Sequence, residues 1–214
     1  MCDGKNSKGQ SFIIIALVTI LILVMLKTSL NLVRIMENKR YLEAGLERLQ
    51  FNNIRNELLN SMQPSVANGN VTKTVNEFLK FARSVLFSRG IELKGIFVEA
   101  TYPTLHASTD TRLNVTVLNM LDYDITSLNM DLNGTVVNSS IEHMHTVQVN
   151  FTINTANDVN YILTVQYTTP QETKTESITI PAKIGKSKFI GFFYLELESD
   201  RLKQYDKIEK VVDL

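Results

Sequence analysis

The sequence predicts an α+β chain: a long N-terminal membrane helix, a second short helix, then an antiparallel β-sandwich. Three features carry that expectation. Phe12 to Leu26 holds one polar residue, Thr19, in fifteen. From Leu42 to Met62 apolar residues recur every three to five positions, the spacing of an amphipathic helix. From Ile91 onward the repeat shortens to two, the spacing of strands. The 214 residues then divide into a leader (1–11), a membrane helix (12–33), an amphipathic stalk (34–63), a loop and short helix (64–90), the sandwich (91–198) and a charged tail (199–214).

The apolar run alone is shorter than the ~20 residues that cross hydrocarbon. Thr28, Ser29, Leu30, Asn31, Leu32 and Val33 extend it, and Lys27 can snorkel to the headgroups while its stem stays apolar. The expected lipid contact therefore runs from Phe12 to about Val33. Three readings of this segment stay open: an uncleaved anchor, a cleaved secretory signal, and a leader cut before the helix. Thr28-Ser29-Leu30-Asn31 lacks the small-residue cleavage pattern of the second. Orientation signals conflict. Lys5 and Lys8 precede the helix while Lys27, Arg34, Lys39 and Arg40 follow it, which favours the C-terminal part inside. Five Asn-x-Ser/Thr sequons, at Asn70, Asn114, Asn133, Asn138 and Asn150, favour it outside. The charge rule is weak for a long folded domain, so the outside placement is the expectation.

Beyond the membrane, Leu42, Leu46, Leu49, Ile54, Leu58 and Met62 read as one apolar stripe that packs on the globular part or pairs with another helix. Gln63-Pro64 is the expected stop, and Ser65 to Asn70 a loop. A second helix follows. Thr74-Val-Asn-Glu77 fits a capping box, Phe78, Leu79, Ala82, Val85 and Leu86 form the expected buried face, and Gly90 the end.

Seven or eight short strands come next. Ile96 and Val98, Leu113 to Val117, Ile125 to Leu132 with a break near Ser127, Val147 to Ile153, Tyr161 to Tyr167, Ser177 to Ile180 and Phe189 to Leu197 carry the alternation. Asp122-Tyr-Asp124, Asn133-Gly134 and Asn157-Asp158 supply turns. Such short, evenly spaced strands suggest a sandwich of immunoglobulin-like kind, without the Cys-Trp-Cys signature of antibody domains. The stretch Leu113-Asn-Val-Thr-Val-Leu-Asn, with Ile125 to Gly134, resembles Ig-like modules of archaeal surface proteins.

Lys8-Gly9-Gln10-Ser11, directly before Phe12, resembles the leader of archaeal type IV pilin-like proteins. The resemblance implies cleavage on the cytoplasmic side of the helix, and a hydrophobic-then-amphipathic helix fits the same architecture. Many such leaders carry a Glu near the fifth mature position; here Ile14 or Ile15 stands there.

Chemistry has few homes in this chain. Lys plus Arg equals Asp plus Glu, so no basic excess points to nucleic acid. Cys2 is the only thiol, so no disulfide forms within the chain. No Gly-x-Ser-x-Gly or glycine-rich phosphate loop occurs. His143-Met-His145 has metal-like spacing if it lies on a strand, with His106, Glu142 or a distant carboxylate as a third ligand, but two solvated imidazoles explain it better. Asp122 with Asp124, and Glu196 with Glu198, are carboxylate pairs that a turn and an exposed strand face also explain. Asp110, Asp122 and Asp124 are carboxylates that could bind calcium, but no EF-type loop frames them. The expectation is no catalytic, cofactor or metal residue. It is instead a non-enzymatic, pilin-like surface protein whose 34–63 stripe meets its own copies or partner helices. The alternative is an anchored Ig-like module that binds a ligand or protein.

Overall fold

The computed structural model describes residues 6–67 and 69–214, with side chains from Ile15 onward except at Ala67. Cys2 therefore lies outside the described residues, as do the first five positions of the leader and the side chains of Lys8 to Ile14. The chain divides into two compact units, one ending at Leu49 and one starting at Gln50.

Helix α1 runs Asn6–Ala67. By length and composition its described residues contain one candidate membrane span. From Ile15 to Met36 its large apolar side chains are all exposed. Two hydroxyls in this region do not need water: Thr19 Oγ1 donates to the Ile15 carbonyl at 2.8 Å, and Thr28 Oγ1 donates to the Val24 carbonyl.

The second unit has three layers. Helix α2 (Val71–Phe87) and α1 from Phe51 form one. Strands β1 (Glu92–Tyr102), β2 (Thr111–Asn119), β5 (Thr146–Ile153), β8 (Lys188–Glu198) and β9 (Lys203–Asp213) form a sheet in the order β5-β2-β1-β8-β9. Strands β3 (Ile125–Leu132), β4 (Thr135–Ile141), β6 (Val159–Thr168) and β7 (Thr173–Ala182) form the other, in the order β4-β3-β6-β7. All strand pairs in both sheets are antiparallel. In sequence order β1, β2 and β5 take the A, B and E places of an immunoglobulin-like sandwich, and β4-β3-β6-β7 take C′-C-F-G. Strands β8 and β9 extend the first sheet beyond A. A tyrosine corner is present too: near the start of β6 the Tyr161 hydroxyl donates to the Asn154 carbonyl at 2.8 Å.

Two cores result. Ile96, Val98, Leu113, Val115, Met130, Val165, Ile178 and Ile190 fill the space between the sheets. Phe51, Leu58, Met62, Val75, Leu79, Phe97, Phe193 and Leu195 fill the space between the five-stranded sheet and the helices. Phe97 and Phe193 are cross-strand partners whose rings stack with centroids 4.3 Å apart. Strand β8 is covered on both faces, and its Phe189 to Leu197 reads as a nearly continuous apolar run.

Several expectations hold in detail. Gly90 closes α2 in a Schellman motif, with Ile91 N–H on the Leu86 carbonyl at 3.2 Å and Gly90 N–H on that of Phe87 at 3.0 Å. Asn133 and Gly134 (φ 49° and 89°) make the β3–β4 hairpin turn. The break near Ser127 is a register shift between Ile125 and Leu128.

Four expectations need correction. Pro64 does not end α1, which continues to Ala67; Ser65 Oγ bonds the Ser61 carbonyl at 2.8 Å and Val66 is buried, which holds the last turn. Thr74-Glu77 is not a capping box. The helix starts a turn earlier, behind Asn70, so that Val71 and Val75 join Leu79, Ala82 and Leu86 on the buried face, while Val85 is exposed. Residues 199–214 are not a frayed tail. Lys203 to Asp213 pairs with β8 along its whole length; its one buried side chain, Ile208, leaves a charged edge strand that looks solvated in sequence. Finally, the Leu42–Met62 stripe is two surfaces. Leu58 and Met62 are buried, while Leu42, Leu46 and Leu49 are exposed.

Candidate functional site

The interior face of the sandwich is apolar along most of its length and turns polar at one end. Along β8 the inward series reads Ile190, Phe192, Tyr194, Glu196, Glu198, so one tyrosine and two carboxylates follow two apolar residues. On β1 the same change is from Ile96 to Lys94, and on β6 and β7 Tyr167, Lys174 and Glu176 face inward from the other sheet. The two sheets enclose a cavity of about 230 Å³ there.

Its wall carries three lysines, Lys94, Lys174 and Lys203, and three glutamates, Glu172, Glu196 and Glu198. The charges are interleaved. Lys94 Nζ lies 2.6 Å from Glu92, 3.1 Å from Glu198 and 3.4 Å from Asp122. Lys174 Nζ lies 2.8 Å from Glu172, and it donates to the Tyr194 hydroxyl at 3.1 Å. Glu196, 8% exposed, accepts from Lys203 at 2.8 Å and from the Tyr194 hydroxyl at 2.7 Å. Burial alone would raise the Glu196 carboxyl, but the bonds from Lys203 and Tyr194 outweigh it and hold the group below its ordinary value. Burial likewise works against the Lys94 and Lys174 ammoniums, and their carboxylate partners overturn it, so both stay charged well above the ordinary lysine range.

Tyr167 stands apart from this network. It is 1% exposed, it lines the cavity, and its hydroxyl has no hydrogen-bond partner. Burial, then the nearby Glu176 charge, pushes its phenol upward, so it remains a neutral O–H. An unpartnered buried hydroxyl is costly, which makes this position the least satisfied polar point of the cavity. Beside the cavity, sharing Glu172, Lys174, Glu196 and Lys203 with it, lies an open groove in which Tyr194 and the 65% exposed Tyr205 stack at 6.3 Å.

No family model matches this chain, and no curated protein matches it.

The residues weighed in the sequence are dispersed. His143 and His145 sit in the β4–β5 turn rather than on a strand, with Met144 at φ 64°. The His143 ring meets the Leu121 carbonyl, and His145 Nδ1 lies 3.0 Å from the His143 carbonyl. His106 is exposed and remote in sequence from both. Among the described residues no three His, Cys, Asp or Glu side chains converge as metal ligands. Asp110 accepts from Asn154 at 2.7 Å, Asp124 accepts from the His143 N–H at 2.7 Å, and Asp122 pairs with Arg83. Asp110 and Asp122 flank opposite ends of the nine-residue β2, about 30 Å of strand. The Glu196–Glu198 pair is the exception: both line the cavity, Glu196 buried and Glu198 part-exposed at its rim. Sequence reasoning missed this site because Lys203 falls in the supposed tail and Tyr167 looks like any inward strand residue. The change from Phe192 to Glu196 and Glu198 along one strand face was the available signal.

Proposed function

We propose that this chain is a non-enzymatic, membrane-anchored, pilin-like cell-surface protein that displays its β-sandwich outside the membrane and associates with its own copies through α1. One observation carries the reading: Leu42, Leu46 and Leu49, at the end of the first unit, are exposed, whereas Leu58 and Met62 are buried in the core of the second. An exposed apolar face on the same helix as the candidate span suits a neighbour anchored in the same membrane. The Lys8-Gly9-Gln10-Ser11 leader adds the pilin-like character. The outward placement rests on the sequons: Asn70, Asn133, Asn138 and Asn150 are exposed and Asn114 half-exposed.

Two measurements test it. The N-terminal sequence of the protein extracted from its membrane should begin at Gln10 or Ser11; a start at Met1 or Cys2 would leave a plain anchor and remove the pilin-like part. In a Cys2→Ser background, Leu46→Cys should give a disulfide-linked dimer on mild oxidation in membranes. A monomer there would refute self-association through this face.

A further inference from the structure

We propose that the polar end of the sandwich binds an uncharged saccharide, with one sugar ring in the cavity and the next unit lying over Tyr205. The inference does not depend on the pilin-like reading, since every residue it uses lies in the sandwich.

The cavity asks for a polar ligand. Tyr167 lines the cavity, and its hydroxyl is buried there without a partner, although it can both donate and accept. A ligand hydroxyl supplies what it lacks. Charge then selects among polar ligands. Three lysines and three glutamates cancel across the wall, and each lysine is already within ion-pair distance of a carboxylate. An anion would compete with those carboxylates for the ammoniums, and a cation would compete with the ammoniums for the carboxylates. A neutral polyhydroxylated ring disturbs neither set of pairs. It accepts from spare N–H bonds, donates to spare carboxylate lone pairs, and meets Tyr167 with either function.

Size and aromatic placement agree. At about 230 Å³ the cavity is below the ~300 Å³ at which drug-sized sites begin, and it suits one ring rather than a chain. The adjoining groove offers the stacked Tyr194–Tyr205 pair, whose outer ring is 65% exposed. Tyrosine presents an apolar ring face with a polar tip, the combination that a sugar's C–H face and hydroxyl rim require. Two units bound in this way explain why polar cavity and aromatic groove share one boundary, formed by Glu172, Lys174, Glu196 and Lys203.

The test uses the full chain in lauryldimethylamine oxide, a detergent without a sugar headgroup. Saturation-transfer NMR and calorimetry are run with glucose, galactose, mannose, N-acetylglucosamine and their common disaccharides up to about 50 mM, a range that detects even millimolar affinity. Saturable binding of at least one, tighter for a disaccharide than for its single sugar, is expected. Tyr167→Phe removes only the unpartnered oxygen, so it should weaken binding about threefold to tenfold while melting at the same temperature or higher. Tyr205→Ala should weaken the disaccharide and leave the single sugar unchanged. Absence of binding across the panel overturns the proposal, as does calcium or glycine binding at the cavity without any sugar. A Tyr167→Phe protein that binds normally, or that melts lower without ligand, overturns it as well; the second result would mean that the hydroxyl serves an internal water.

Discussion

Leu49 and Leu58 look equivalent in the sequence, two leucines of one amphipathic repeat, and the structure makes them opposites. Leu58 is 0% exposed within the helix-to-sheet core, whereas Leu49 is 58% exposed. Leu58→Ala removes a packed isobutyl group from a space that also holds Met62, Leu79 and Phe193. Such truncations cost about 2–5 kcal/mol, the transfer free energy plus that of the cavity left behind. With sheet strands on one side and α2 on the other, collapse is restricted, so we take about 3 kcal/mol. A chain of this size loses about 2–4 °C per kcal/mol, which places the melting point about 6–12 °C lower. Leu49→Ala should change stability by less than about 0.5 kcal/mol, because leucine and alanine have similar helix propensity and little burial is lost. Thermal unfolding of the two full-length variants in detergent, followed by far-UV circular dichroism, compares them directly. The effects should also cross over: Leu49→Ala should reduce the Leu46→Cys cross-link, and Leu58→Ala should not. Equal losses of stability, or a larger loss at Leu49, would refute the two-surface description of α1.

Asn119→Ala should cost about 3 kcal/mol in urea unfolding, far more than its polar side chain suggests. The side chain is 0% exposed; its amide donates to the carbonyls of Tyr123, Ile141 and Glu142, and its oxygen accepts from the Leu121 N–H at 3.0 Å. An unchanged midpoint would mean that the two loops hold without it. Glu99 gives a pH test. Burial raises its carboxyl above the ordinary value, against the opposing bond from Thr72. The folded state therefore binds the proton more tightly, and stability from this group is present below the ordinary carboxyl pKa and lost as pH rises through the folded value. Glu99→Gln should raise the melting temperature at pH 7, with the gain shrinking toward pH 4; a gain that is flat with pH would assign it to packing. Deleting residues 199–214 should aggregate the protein, because it strips β9 from an apolar β8 and exposes that edge. A monodisperse truncation on gel filtration in detergent, with the original melting point, would show that β9 is dispensable.

The sequence by itself determined the order of elements along the chain: two helices, then an antiparallel sandwich. Fifteen residues with one polar member can only read as a lipid-facing helix or a buried one, and the alternation from Ile91 onward fixes which residues of most strands face inward. Local chemistry also fixed two ends, because Asn133-Gly134 and Gly90 occupy backbone conformations that few other residues tolerate. Tertiary structure decided the rest, for three physical reasons. Strand β9 exists because β8 offers it hydrogen bonds, and an edge strand with one buried side chain carries no periodic apolar signal of its own. The start of α2 at Val71 follows from room for Val71 and Val75 against the sheet, which outweighs a capping motif at Thr74. The cavity depends on residues from β1, β6, β7, β8 and β9 meeting at one end of the sandwich, a juxtaposition set by strand register between positions more than a hundred residues apart. Glu196 and Glu198 were visible in the sequence as a pair on one strand face. Only packing of the second sheet opposite them turned that face inward and brought Tyr167 to it.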